Sequence, residues 1–272
     1  MWIALSITCA LANALWTALA KPIVQQMSPL RVTLIMRALV AALLIVPFAA
    51  RPEFPSSLGV WLLVIAIGLL NGARWVVILH GVKRDYFSTY GMYNTAPLFT
   101  LLLAPTMLPE RFGVEVWLGV LAIIAGGAVF YRTSRFSAYG LAGAGLTAAV
   151  NILFKRGMDF MSPLSLLFLT QLSITGVLAV SYLIVEGTAG REARWGADVR
   201  RIAPLAAIVV VSALAFTYAL SLDTATRVTA VARVNLVFGF LLSYLMLREK
   251  WEWQWKLAGT GLIVAGTIAV AM

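Results

Sequence analysis

The sequence predicts an all-α, polytopic membrane protein. Three observations carry that prediction: the chain is poor in charge, it divides into apolar runs of spanning length, and its two halves repeat. Of 272 residues, 61% are apolar and 12% charged, against roughly 25% charged in soluble domains. A mean hydropathy of +0.92 agrees. So few ions cannot build a water-facing shell, so the lipid bilayer is the solvent for most of the surface. The net charge of +10 would suggest nucleic acid in a soluble protein. Here Lys and Arg sit mostly between apolar runs, where they meet anionic headgroups, and no nucleic-acid partner is expected.

A helix needs about 20 apolar residues to cross a bilayer, and ten such runs fall at approximately 2–20, 30–50, 57–80, 87–108, 114–131, 137–154, 163–185, 202–222, 226–247 and 253–272. The first lacks a positively charged start, so it reads as a retained helix rather than a cleaved signal. Pro29 stands at the start of the second, where its missing N–H costs nothing. The third ends at His80, beside Lys83 and Arg84. Pro97 lies inside the fourth and is expected to kink or break it, a defect tolerated where the freed backbone faces protein or a water-filled cavity. The fifth and tenth carry Gly119, Gly126, Gly127 and Gly259, Gly261, Gly266. Such small residues permit close helix contact, either between the halves or in a homodimer. The sixth opens with Gly140, Gly143 and Gly145, but no strand precedes this G-x-x-G-x-G, which excludes a nucleotide-binding loop. Pro163 opens the seventh. The hydrophilic stretch 186–201 reads as a loop, with Pro204 near the start of the eighth. Beyond the ninth, Trp251, Trp253 and Trp255 suit the headgroup level.

Lys21 is followed six residues later by Met27-Ser28-Pro29-Leu30, and Lys155 six residues later by Met161-Ser162-Pro163-Leu164. Both matches have the same offset (155 − 21 = 134 and 161 − 27 = 134). Leu108-Pro109-Glu110-Arg111 is matched by Leu247-Arg248-Glu249-Lys250, and Ala125-Gly126 by Ala265-Gly266. The matches keep the order of the chain, which predicts a five-helix unit over 1–134 duplicated over 135–272. Five crossings are odd in number, so the second copy is inverted relative to the first. Inverted repeats are typical of secondary transporters, with the solute held near the midplane between the halves.

The chain resembles the EamA-type branch of the drug/metabolite transporter superfamily over essentially its whole length. The residues that carry the resemblance are Trp16 to Lys21, Arg37, the Pro97-Leu98-Phe99 run leading to Glu110, and the parallel run leading to Glu249 with its Gly-rich last helix. The resemblance implies ten helices, a central cavity, alternating access and both termini in the cytoplasm. Charge bias implies the reverse orientation. The loops after odd-numbered runs hold thirteen Lys and Arg (21, 31, 83, 84, 132, 135, 191, 194, 200, 201, 248, 250, 256) and the others five (51, 111, 155, 156, 227), and the richer side is expected inside.

Ionisable groups in hydrocarbon cost about 2.5–3.5 kcal/mol each on insertion scales, so each needs a reason. Arg37, Arg74 and Arg233 lie well inside runs, and no Asp or Glu falls near the middle of any run. A solute carboxylate or phosphate would suit the guanidinium fork. The alternative is snorkelling or bonding to carbonyls at broken helices, which the resemblance favours for Arg37. Asn13, Asn94, Asn151 and Asn235, together with Asn71 and Gln171, offer hydrogen bonds to a solute or between helices. Trp16, Trp75, Tyr90 and Tyr93 are the aromatic candidates for the cavity wall.

The expected function is transport of a small polar metabolite, an amino acid or organic anion, through a multi-pass protein of the cell (inner) membrane. Export of drugs or cationic compounds is the alternative, weakened by the missing buried carboxylate. An enzyme acting on lipid-linked substrates usually needs clustered acids, histidines or metal ligands, and one histidine with no mid-run carboxylate speaks against it. No cofactor or metal is expected, and the single Cys9 precludes an intramolecular disulfide.

Overall fold

Lipid offers backbone N–H and C=O groups no partner, so each apolar run must satisfy its own by forming a helix. A computed structural model describes residues 1–132, 136–187, 195–247 and 253–272, and every regular element among them is helical. In chain order these are α1 (Trp2–Gln26), α2 (Pro29–Ala50), α3 (Leu58–Arg84), α4 (Tyr86–Tyr93), α5 (Ala96–Met107) and α6 (Val114–Phe130). Then come α7 (Ala138–Gly157), α8 (Pro163–Val185), α9 (Trp195–Leu222), α10 (Ala225–Val231), a 3₁₀ turn (Ala232–Val234), α11 (Asn235–Leu247) and α12 (Trp253–Ala271). Six segments within 2–20, 29–50, 58–84, 163–185, 195–222 and 225–242 are long and apolar enough to cross a bilayer. Large apolar side chains such as Val46, Leu62, Leu118, Leu183 and Ile184 are exposed on the helix surfaces, as a lipid-facing wall requires. The protein is an all-α, polytopic, integral membrane protein.

Helix starts are set by side chains that accept free N–H groups. Ser57 accepts from the Val60 N–H at 3.4 Å, Ser137 from Gly140 at 3.2 Å and Thr224 from Arg227 at 3.3 Å. Pro29 and Pro163 each occupy the first helical position. Pro204 does not, because α9 begins at Trp195 and runs through it. The stretch 186–201 is accordingly helical from Trp195 onward, not loop throughout. Asp198 lies in the first turn of α9, where a negative charge is favoured by the helix dipole, and it pairs with Arg31 of α2. Trp195 meets Tyr182 edge-on at 5.5 Å and stacks under the Arg31 guanidinium. These contacts tie the start of α9 to α2 and α8. Arg31→Ala should cost roughly 2 kcal/mol, the scale of a charge-assisted hydrogen bond, and an unchanged thermal midpoint in detergent would remove the pair from the stability account. Arg135, Arg191, Arg194, Arg248, Glu249, Lys250 and Trp251 lie outside the described residues, as do the side chains of Lys21 and Trp253.

The helices pack in couples. α1 lies against α9 and α11, α7 against α3 and α5, α2 against α8, and α6 against α12. Leu44, Ile67, Leu166, Ile202 and Leu220 are fully enclosed where α2, α3, α8 and α9 meet. Gly119 and Gly126 of α6 oppose Gly266 and Gly259 of α12 backbone to backbone. Gly127 faces Asn94 instead, and Gly261 has nothing within 4 Å to receive a Cβ.

Two helices are broken. Between α4 and α5, Pro97 has no N–H for the Tyr93 carbonyl, and the chain turns through Asn94 and Thr95. Thr95 closes the turn with its N–H and its hydroxyl, both donating to the Met92 carbonyl, at 3.1 and 2.6 Å. Between α10 and α11 the helix tightens into the 3₁₀ turn that carries Arg233, with no proline present. Tightened turns inside long helices often mark functional hinges.

Candidate functional site

The breaks bring together residues far apart in sequence. Arg233 is buried, and its guanidinium lies 4.8 Å from the ring centre of Tyr93, the last residue of α4. Tyr93 meets Tyr90 edge-on at 6.0 Å and its hydroxyl accepts from Thr147 of α7 at 3.2 Å. Trp75 of α3 receives two guanidiniums, Arg37 from α2 at 4.8 Å and Arg74 at 5.2 Å. The two groups lie within electrostatic range of each other: Arg74 feels both Arg37 and Arg233, and Tyr93 feels all three arginines. Tyr131, the residue that ends α6, adds its hydroxyl beside Asn94, Tyr90 and Arg233.

Among the described residues, no carboxylate pairs with Arg37, Arg74 or Arg233. The buried Nε atom of each has no hydrogen-bond partner, nor do Trp75 Nε1 and Asn235 Oδ1. A guanidinium on an aromatic face gains about 0.5–2 kcal/mol, while a cation in hydrocarbon costs about 2.5–3.5 kcal/mol on insertion scales. Stacking therefore offsets only part of the cost. The remaining positive charge has no counter-charge among the described residues.

Of the other sequence candidates, Asn71 Oδ1 and Gln171 Oε1 are buried without a hydrogen-bond partner, while Asn13, Trp16 and Asn151 are engaged with protein. Asn151 donates to Thr229 of α10 at 3.0 Å, a buried tie between α7 and α10. Trp16 Nε1 donates to Asn13 Oδ1 at 3.2 Å, and Asn13 Nδ2 donates to Cys9 Sγ at 3.6 Å. Cys9 in turn meets Ser212 of α9 at 3.4 Å. This polar string runs along the α1–α9 contact, and its Cys9 end lies within electrostatic range of Arg233. His80 is exposed, its Nδ1 2.8 Å from the carbonyl of Val76 in its own helix. Thr147 and Tyr131 escape a reading of the sequence. A threonine four residues from Asn151 on one helix face is a faint signal for the first, and an aromatic at a run end reads as an interface anchor.

The sequence profile of the EamA-like transporter family matches this chain twice, at residues 1–132 and 136–272. No curated protein matches it. A solved structure, titled only as the crystal structure of a protein, is similar at 17% identity with a TM-score of 0.77, covering 99% of this chain and 98% of the other. That likeness extends the fold over the full length. With the profile spanning nearly every residue, the chain belongs to the EamA-like transporter family of the drug/metabolite transporter superfamily.

Proposed function

We propose that the protein is a secondary transporter of a small polar metabolite, an organic anion ahead of an amino acid, bound between two inverted five-helix repeats over 1–134 and 135–272. The observation that carries the substrate class is the convergence of Arg37, Arg74 and Arg233 with no carboxylate paired to them among the described residues. A carboxylate or phosphate would complete the site. A zwitterion would leave its ammonium facing three cations, which places amino acids second, and a cationic drug would meet repulsion throughout.

The repeat reading, with ten crossings, draws support from pairing and spacing. Exchanging the halves turns the α1–α9 contact into α7–α3 and the α1–α11 contact into α7–α5, and it leaves α2–α8 and α6–α12 as they are. The two breaks share the spacing of the matched glutamates (233 − 94 = 139 and 249 − 110 = 139). In such an arrangement the broken helices face each other across the midplane, Arg233 on one and Tyr93 and Asn94 on the other. Alternating access then moves the half-helices about these breaks.

Thermal unfolding of detergent-purified protein against mono- and dicarboxylates, phosphorylated sugars, amino acids and cationic dyes tests the substrate class. An anion at about 100 times its Kd should stabilise the folded state by about 2.7 kcal/mol. Counterflow of that anion in proteoliposomes should follow. Stabilisation by dyes or zwitterions alone would end the anion reading.

A further inference from the structure

A cleft of about 520 Å³ opens at the end of the bundle where the α5–α6 connection, the end of α7 and the α9–α10 connection meet. Glu110, Lys155, Arg156, Asp159 and Asp223 line it. Glu110 is 7% exposed although it stands in a connection between helices. Its Oε1 accepts the Ala225 N–H at 2.9 Å, holding the first residue of α10, while its Oε2 is buried and has no hydrogen-bond partner. Lys155, a cation lining the same cleft, donates instead to the carbonyls of Leu220 at 2.5 Å and Asp223 at 2.8 Å, closing the last turn of α9.

The charged groups around Glu110 come from each element packed there. Lys155 of α7 attracts a carboxylate and Asp223 after α9 repels one. Arg156 and Asp159 pair with each other at 2.8 Å on the exposed rim, and from the α10 side the cleft is lined by Thr224, which does not titrate. A buried oxygen without a donor is costly as part of a carboxylate and much less so as the hydroxyl of a neutral acid. Burial, aided by Asp223, holds the Glu110 carboxyl above the usual carboxylate range, against the opposing pull of the Ala225 N–H, Lys155 and the Thr226 N–H.

We propose that Glu110 carries a proton while this end of the bundle is closed, and that opening of α10 at this end is linked to release of that proton. The neutral acid keeps its carbonyl oxygen for the Ala225 N–H and leaves no unpaired charge in the contact. When α10 swings away, water reaches the carboxyl through the cleft and the group ionises. Linkage fixes the sign: the conformation that binds the proton more tightly is favoured at low pH, and rising pH favours opening. Arg233 follows α10 by two residues, so the same movement exposes the anion site. The proposal deepens the transport reading and rests on it for its meaning, but its test needs no solute.

The reporter is a cysteine at Thr226, a fully buried residue one position into α10, in a Cys9→Ala background. Its rate of modification by a polar maleimide is measured in detergent-purified protein over an acidic to mildly alkaline pH series. The same series on Glu110→Gln, which keeps the carbonyl acceptor and cannot ionise, corrects for ionisation of the thiol itself. The expected ratio of parent to Glu110→Gln rates is near one at acidic pH and rises several-fold as pH increases. Glu110→Ala, lacking the acceptor, should react fast throughout. A ratio that stays flat across the series overturns the proposal. Should the reporter not remain monodisperse, hydrogen exchange of the 222–231 segment in the chain carrying Thr226, with and without Glu110→Gln, gives the same comparison. Anion stabilisation measured on Glu110→Gln separates the two claims: its absence in every variant counts against the anion site, and a flat ratio counts against the proton alone.

Discussion

Arg233→Ala is expected to abolish transport and anion binding while leaving the protein folded. The guanidinium is buried, stacked on Tyr93 and without a carboxylate partner among the described residues. If its role were structural, removing it would forfeit the stacking, about 0.5–2 kcal/mol, and lower the thermal midpoint of the unliganded protein. If it awaits an anion, the unliganded protein loses an uncompensated charge, and its midpoint should hold or rise. The cost then falls on the complex. Truncating one partner of a buried, hydrogen-bonded charge pair costs roughly 2–5 kcal/mol, and 2 kcal/mol is already about thirtyfold in Kd. Arg233→Lys keeps the charge and loses the planar fork, so it should fall between parent and alanine. Paired measurements of midpoint with and without anion, and of uptake, check both variants. Unchanged uptake kinetics in Arg233→Ala would sink the assignment.

Residues whose signals are local were legible in the sequence. Pro97 marks the first helix break because a missing N–H needs no tertiary context to act, and the apolar runs bound the helices to within a few residues at most ends. The start of α9 was not legible. Trp195 to Arg201 is polar enough to read as loop, and it is helical because Asp198 and Trp195 find Arg31 and Tyr182 on other helices. The second break was hidden for a different reason. Ala232–Val234 contains no proline, and the one unusual residue there, Arg233, signalled a buried charge rather than a turn. The sequence placed three arginines inside apolar runs with no mid-run carboxylate. That Arg74 feels the other two follows from where α2 and α3 lie relative to the break after α10, which no spacing along the chain encodes. For Asn13 and Asn151 the sequence left solute and helix contact both open, and their hydrogen bonds to Trp16, Cys9 and Thr229 show protein partners.

Substitutions along the α6–α12 contact should give the largest stability effects in the protein. Gly119 meets Gly266 and Gly126 meets Gly259, seven residues apart on each helix and in opposite order, so the helices run antiparallel with backbones touching at two levels. A Cβ built on Gly126 would stand 2.7 Å from the Gly259 carbonyl oxygen, and one on Gly259 would stand 2.6 Å from that of Gly126. Backbone cannot rotate aside as a side chain can. The helices would have to separate, losing contacts along their length. In lipid no hydrophobic force restores them, since van der Waals packing itself drives association. Overpacking typically costs about 1–3 kcal/mol and occasionally more. Gly126→Ala is expected at the upper part of that range, and Gly126→Val beyond it, with little folded protein recovered. Gly261 lies on the partner helix α12 with open space around it, so Gly261→Ala should be neutral or gain up to about 1 kcal/mol from helix propensity alone. Thermal midpoints in detergent compare the three. Equal midpoints for Gly126→Ala and Gly261→Ala would show that the close crossing contributes nothing. A selective loss at Gly126 would make α6 and α12 the fixed frame of the molecule, against which the half-helices carrying Tyr93 and Arg233 move.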